Sequence, residues 1–97
     1  MRFEIELAPE AVADLKRLKV RDRALVEDAM ETHLRHEPTK TSRSRIKRLR
    51  DLAKPQFRLR VNDMRAFYDV RKRTVEVLAI VTKSNADTWL SKAGEES

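Results

Sequence analysis

The chain has 97 residues, of which 40% are hydrophobic and 39% charged, with a formal net charge of +6 at pH 7 and no cysteine. This length predicts one domain over residues 1–97 with a modest core, and the lack of cysteine excludes disulfides, thiolate metal ligands and a cysteine nucleophile. No apolar stretch approaches the roughly 20 residues of a membrane span, and acidic residues interrupt the start of the chain where a signal peptide would be apolar. We therefore expect a cytoplasmic protein.

The first third of the chain predicts one strand and two helices. Residues 2–7 alternate between apolar and charged side chains, as in a half-buried strand. Pro9 suits the first turn of a helix, and apolar residues at helical spacing extend this helix to about Lys19. Asp22 is a suitable N-cap for a second helix, which runs from about Arg23 to His36. Because the connection is short, we expect the two helices to be antiparallel neighbours.

The next stretch is less regular. Pro38 ends the second helix, and residues 39–42 are polar, as in a loop. Ile46, Leu49 and Leu52 follow at a spacing of three, which suits one helical turn, a loop anchored by apolar contacts or a distorted strand. The pattern does not distinguish between these three structures.

The second half of the chain predicts an antiparallel meander. Residues 57–61 alternate between apolar side chains and arginines, residues 62–63 are turn formers, and residues 64–70 return with Tyr68 on the apolar face. We therefore assign Tyr68 to the core. Residues 74–81 are so continuously apolar that they predict the central strand, covered on both faces.

The chain then ends in a predicted short helix. This helix covers residues 86–92, with Ser84 or Asn85 as its N-cap and Gly94 at its end. The order of elements is that of an α+β fold, with an N-terminal strand, an antiparallel helix hairpin, a three-stranded antiparallel meander and a short C-terminal helix.

Positive charge is concentrated in one window. From Arg43 to Arg60 eight residues are basic and only Asp51 is acidic, so this window carries +7 and the rest of the chain −1. A charge distribution of this kind predicts a polyanionic partner such as nucleic acid, a ribosome or an acidic protein.

Standard catalytic motifs are missing from the sequence. A single glycine excludes a Gly-rich phosphate loop, and no G-x-S-x-G, H-E-x-x-H or C-x-x-C occurs. His33 and His36 have a spacing that could share a metal, but the sequence places no third ligand near them. We interpret them as residues favoured by the C-terminal dipole of the helix, and we predict no metal and no cofactor.

The arginine-bearing hairpin has a regular frame in Phe57-Arg58-Leu59-Arg60-Val61, in Met64-Arg65-Ala66-Phe67-Tyr68-Asp69-Val70, and in the apolar strand that precedes Lys83. This frame resembles the RelE/ParE toxins of bacterial type II toxin–antitoxin systems. Element order and lengths also agree from Arg2 to Leu90. The resemblance implies a RelE-like fold and a cognate antitoxin as partner.

Two activities are implied by this resemblance. RelE-like members cut mRNA in the ribosomal A site without a metal, whereas ParE-like members inhibit DNA gyrase. Arg58, Arg60 and Arg65 match the basic residues of the family's corresponding strands, and arginine suits the stabilisation of phosphate charge. Lys83 is the candidate for proton transfer. We expect the three arginines at exposed strand positions around one cleft.

The chain departs from the RelE-like nucleases after its last strand. Those proteins supply another arginine and a C-terminal tyrosine, and related ribonucleases supply a histidine, whereas here Trp89 follows Lys83. Trp89 could stack on a base or belong to the core. We predict a ribosome-dependent mRNA endonuclease (an mRNA interferase), with a gyrase inhibitor as the alternative and a harmless nucleic-acid-binding member as the third hypothesis.

Further basic residues are expected to bind the phosphates of ribosomal RNA. They lie in the window before the hairpin, where single changes should weaken binding gradually. These residues are Arg45, Lys47, Arg48, Arg50 and Lys54.

Overall fold

A computed structural model describes residues 1–50 and 54–96, with side chains described as far as residue 93. The elements in chain order are β1 (Glu4–Leu7), α1 (Pro9–Arg17), α2 (Val20–Leu34), β2 (Ile46–Arg48), β3 (Phe57–Val61), β4 (Met64–Arg71), β5 (Thr74–Thr82) and α3 (Lys83–Glu96). Ile46 therefore begins a short strand, whereas Leu52 lies outside the described residues. The last helix is longer than predicted, and Gly94 lies within it.

The five strands form one mixed sheet in the order β1-β5-β4-β3-β2. Strands β3, β4 and β5 make the predicted antiparallel meander. The prediction was incomplete in two respects, because β1 joins the sheet parallel to β5 and β2 adds an antiparallel strand beside β3. The α+β class is confirmed. The central strand is β4, and the prediction that placed β5 there was wrong.

The two N-terminal helices pack on the sheet more than on each other. A two-residue link joins them, but α1 lies against β5 and α2 against β3. The predicted helix hairpin is therefore only partly matched. Each helix thus has a different strand as its main neighbour in the sheet.

The main core lies between these helices and one face of the sheet. Leu15, Val26 and Leu34 pack there against apolar side chains of β3, β4 and β5. Tyr68 is fully buried, stacks on Phe57 with ring centroids 5.4 Å apart, and donates a 2.6 Å hydrogen bond to the carbonyl of Pro38. The assignment of Tyr68 to the core is confirmed.

The helix α3 covers part of the opposite face. Phe67 is fully buried and stacks on Trp89 of α3 with ring centroids 4.9 Å apart. The indole Nε1 of Trp89 donates a 3.3 Å hydrogen bond to Glu10 of α1. Trp89 is thus a packing residue, and α3 explains why β4 is buried on both faces.

A buried carboxylate completes the edge of β5. The strand β1 pairs only with Thr74–Val77, so the end of β5 lacks a strand neighbour on that side. Asp14 of α1 is 9% exposed, and its Oδ2 accepts a 2.9 Å hydrogen bond from the backbone N–H of Ile80. Its Oδ1 accepts a 2.6 Å bond from Arg17. The helix therefore satisfies a strand donor that would otherwise cost about 1–3 kcal/mol.

Across residues 1–50 and 54–96, the structure contains no helix that is both long enough and apolar enough to cross a membrane.

Candidate nucleic-acid interface

The part of the second sheet face that α3 leaves open carries a group of basic side chains. Phe57, Leu59 and Val61 of β3 are buried in the core, so Arg58 and Arg60 point to the opposite face. Lys47 of β2 pairs across the sheet with Arg58, and Arg65 of β4 pairs with Arg60. The register therefore brings Arg58, Arg60 and Arg65 together, and we name these three residues the arginine cluster.

The three arginines differ in exposure. Arg60 is exposed and Arg58 is half-buried, whereas Arg65 is only 6% exposed. The prediction of an exposed Arg65 was therefore wrong. Its guanidinium folds back onto the β3–β4 turn, where Nη1 donates to the carbonyls of Asn62 at 2.8 Å and Met64 at 2.9 Å.

The cluster gathers positive charge that the described residues do not neutralise. Burial, together with the charges of Arg65 and Arg60, lowers the pKa of Arg58. Burial and the charge of Arg60 likewise lower the pKa of Arg65, while Asp63 acts in the opposite direction. No carboxylate of the described residues forms an ion pair with the cluster, and the buried Nε of Arg58 has no hydrogen-bond partner among them. This arrangement favours a bound anion.

Lys83 lies beside the same turn. It is the first residue of α3, and its backbone N–H donates a 2.6 Å hydrogen bond to the carbonyl of Asp63. Its side chain is exposed. The turn therefore connects Lys83 to the strand ends that carry Arg60 and Arg65.

The five predicted RNA-binding residues make different contacts. All five are exposed, and only Lys47 is a direct cross-strand neighbour of the arginine cluster. The guanidinium of Arg48 lies 5.0 Å from the centre of the Phe57 ring. The ammonium of Lys54 lies 3.9 Å from a carboxylate oxygen of Asp69 and 3.9 Å from one of Glu76. Lys54 is therefore the one residue of the five that forms ion pairs within the described part of the chain.

A groove near the end of α2 was not predicted from the sequence. It has a volume of about 510 Å³ and is lined by the end of α2, by the loop that follows it and by Arg45 and Ile46. Burial and the charge of Arg45 lower the pKa of His33 in this groove. The polar, basic composition of residues 39–45 was the only sequence signal for it. No group of three His, Cys, Asp or Glu side chains in the described part of the chain could hold a metal ion.

A model of the protein family "ParE toxin of type II toxin-antitoxin system, parDE" matches residues 5–86. The chain belongs to this toxin family. The resemblance inferred from the hairpin arginines is thereby confirmed. None of the curated protein sequences matches this ParE-family toxin closely enough to be counted as a relative.

Solved structures of RelE toxins share the fold of this ParE-family toxin. The toxin–antitoxin complex RelBE2 of Mycobacterium tuberculosis matches with a TM-score of 0.73 and 24% identity over 84% of this chain and 99% of that chain. The RelE–RelB complex of Pyrococcus horikoshii matches at 0.70 and 17%, over 86% and 97%. A mutant of Escherichia coli RelE in the free state matches at 0.71 and 16%, over 92% of each chain.

Proposed function

We propose that this ParE-family toxin is a ribosome-dependent endoribonuclease that inhibits translation by cutting mRNA without a metal. The observation that carries the proposal is the arginine cluster, in which three arginines lie on the sheet face opposite the core and no described carboxylate pairs with them. Such a site stabilises the charge that develops on a phosphate during phosphoryl transfer.

The proposed reaction uses the RNA as its own nucleophile. The 2′-oxygen attacks the adjacent phosphorus and gives its proton to water, and the bond from phosphorus to the 5′-oxygen breaks as that oxygen takes a proton from Lys83, which water then reprotonates. The products are a 2′,3′-cyclic phosphate and a 5′-hydroxyl. Arg58 and Arg60 hold the crowded phosphate, while the exposed Lys83 transfers a proton at the leaving oxygen. The ribosome aligns the substrate, which accounts for the small number of groups on the protein.

A cognate antitoxin is the expected protein partner. The matched family is defined by toxin–antitoxin pairs, and the structures from M. tuberculosis and P. horikoshii are complexes with antitoxins. We propose that the antitoxin presents acidic side chains to the basic face and apolar side chains to the helix pair. Covering the arginine cluster with carboxylates would block access of RNA phosphates.

Inhibition of DNA gyrase is the second candidate. The matched family model describes the ParE toxin of the parDE system, and a protein that blocks gyrase by binding needs no proton-transfer group. This alternative predicts loss of supercoiling by purified gyrase and no cleavage of mRNA.

Toeprinting of translating ribosomes separates the two functions. Wild-type protein should produce A-site cleavage products, and Arg58→Ala/Arg60→Ala should reduce the cleavage rate by at least about 100-fold, the usual cost of removing charge stabilisation. The double variant Arg71→Ala/Arg73→Ala is the matched control, because both arginines are exposed at the far end of β4. It should cleave as the wild type does.

Three results would contradict the endonuclease proposal. Wild-type protein that leaves mRNA intact but inhibits gyrase at micromolar concentration would establish the second candidate. Equal cleavage by the Arg58/Arg60 and Arg71/Arg73 variants would remove the arginine cluster from the mechanism. Folded wild-type protein that does neither, and permits normal growth when expressed alone, would identify a harmless member of the family.

A further inference from the structure

We infer that Arg65 is a positioning residue, a buried cation that fixes the β3–β4 turn and supports Arg58 and Arg60, which alone contact the phosphate. This inference rests on the proposed function and assigns different roles to members of the arginine cluster. Its basis is the contrast between one buried arginine residue and two less buried ones on the same sheet face.

The hydrogen bonds of Arg65 commit one end of its guanidinium to the β3–β4 turn. Its Nη1 is shared between two backbone carbonyls, those of Asn62 and Met64. Bidentate recognition of a phosphate requires two guanidinium nitrogens facing the ligand. Since Nη1 already donates twice, only Nε and Nη2 of Arg65 remain for a ligand, and the 6% exposure of this residue restricts the approach of a phosphate to them.

The same bonds set the geometry of the turn. Asn62 has a φ of 52°, in the left-handed region that few residues other than glycine and asparagine adopt readily. Arg65 holds the carbonyl of Asn62 from one side of the turn, and the N–H of Lys83 holds the carbonyl of Asp63. The turn therefore fixes the end of the strand carrying Arg60 relative to the start of α3. Through it, Arg65 positions Lys83 without contacting the substrate.

The charge of Arg65 also acts on the site. Arg65 is the cross-strand partner of Arg60, and each of these charges is close enough to influence the other arginines of the cluster. An arginine stays protonated even when its pKa is lowered. A cation beneath two accessible arginines raises the positive potential at the surface above it, so the site prefers an anion to water.

Three substitutions distinguish a positioning role of Arg65 from direct contact with the phosphate and from a purely structural role. Lysine at position 65 keeps the charge, and its ammonium can donate to both carbonyls, so Arg65→Lys should cleave mRNA on ribosomes within about threefold of the wild-type single-turnover rate. Arg60→Lys is the matched control at a ligand position and should lose about tenfold, because it removes the planar fork. Arg65→Gln keeps one donor but no charge, and it should also lose about tenfold, the effect of a charge roughly 10 Å away.

A spectroscopic measurement tests contact directly and needs no ribosome. In protein with ¹⁵N-labelled arginine, inorganic phosphate should shift the Nε resonances of Arg58 and Arg60 and leave that of Arg65 unchanged. A shift of Arg65 equal to that of Arg60, or an Arg65→Lys variant as slow as Arg60→Lys, would make Arg65 a direct ligand and overturn the inference.

A purely structural role gives a different result. If Arg65→Gln cleaves as fast as wild type with an unchanged thermal midpoint, the charge has no effect and the inference fails. A failure of Arg65→Gln to fold leaves the test intact. The comparison of Arg65→Lys with Arg60→Lys and the phosphate titration still show whether Arg65 contacts the phosphate. Absence of cleavage by the wild type contradicts the proposed function itself, whereas wild-type cleavage with slow Arg65→Lys contradicts only the inference.

Discussion

Tyr68 lies at the centre of the sheet, where its hydroxyl donates a 2.6 Å hydrogen bond to Pro38. Burial raises the pKa of this phenol well above its ordinary value. The folded state therefore favours the neutral form, and its stabilising effect is fully present below about pH 10, the unfolded pKa, and is lost as the pH rises further. We expect the free energy of unfolding to fall above pH 10 by up to about 1.4 kcal/mol per pH unit from this group.

Tyr68→Phe separates this titration from that of the lysines. The variant should be less stable than the wild type by about 1–2 kcal/mol at pH 7, because the carbonyl of Pro38 loses its donor. The difference should shrink and then reverse as the pH rises above 10, since phenylalanine does not ionise. Urea denaturation of both proteins at several pH values measures this difference. A constant difference up to pH 11 would show that the phenol is not held in its neutral form.

For individual residues of the site, the sequence is enough to predict the sheet face on which each one lies. The alternation over residues 57–61 is enough to place Arg58 and Arg60 opposite the core, and the turn-forming residues place Arg65 across from them. Alternation does not reveal what lies above a face. The burial of Arg65 depends on its bonds to turn carbonyls, and these depend on tertiary geometry.

Among the elements, the strand β2 shows where local pattern fails. It has three residues, and its apolar spacing fits a helical turn equally well. The strand exists because Ile46 pairs with Leu59, and because the hydroxyl of Ser42 accepts the N–H of Arg45 at 3.1 Å. The parallel pairing of β1 with β5 also leaves no local pattern, because β5 lies far from β1 in the sequence.

An aromatic contact joins the helix α3 to the sheet. Trp89 covers Phe67, which explains the burial of both faces of β4. Trp89→Ala should expose Phe67 and lower the free energy of unfolding by about 1–3 kcal/mol, less than for a fully buried aromatic because the indole is only partly buried. Urea denaturation measures the loss, and increased binding of a hydrophobic dye should accompany it.

Thr88→Ala is the control on the same helix, since Thr88 is exposed. It should change the stability by less than about 0.5 kcal/mol, as for most surface substitutions. If the two variants are equally stable, the aromatic stack contributes nothing measurable and another contact holds α3 on the sheet.

At the scale of the whole molecule, the sheet separates an apolar side from a side that carries the arginine cluster. The helices α1 and α2 bury the apolar core on one face, which leaves the other face for α3 and the arginine cluster. Since β2 is the edge strand next to β3, it extends the basic surface beyond the cluster with Lys47. The fold thus turns a basic window of the sequence into a site at the cluster and a more diffuse charged edge.

This division predicts two kinds of salt dependence. Lys47→Ala/Arg50→Ala removes two exposed charges near the edge strand. It should reduce the slope of log affinity for ribosomes against log salt by about 0.7–0.9 for each phosphate that the protein no longer neutralises. At low salt and saturating protein, this variant should cleave mRNA at the wild-type rate, because the arginine cluster is intact. The Arg58/Arg60 variant should remain slow at every salt concentration.

The Arg71→Ala/Arg73→Ala variant loses the same net charge as the Lys47→Ala/Arg50→Ala variant. It therefore controls for the effect of the protein's total charge on binding. If it reduces the salt slope as much as the Lys47/Arg50 variant, binding follows net charge and no particular edge of the sheet faces the RNA. If the Lys47/Arg50 variant stays slow at saturating protein in low salt, these residues act on the chemical step. Either result would contradict the proposal that the edge strand binds RNA while the cluster stabilises charge in the chemical step. Saturating protein compensates for weakened binding, but it does not compensate for a slower chemical step.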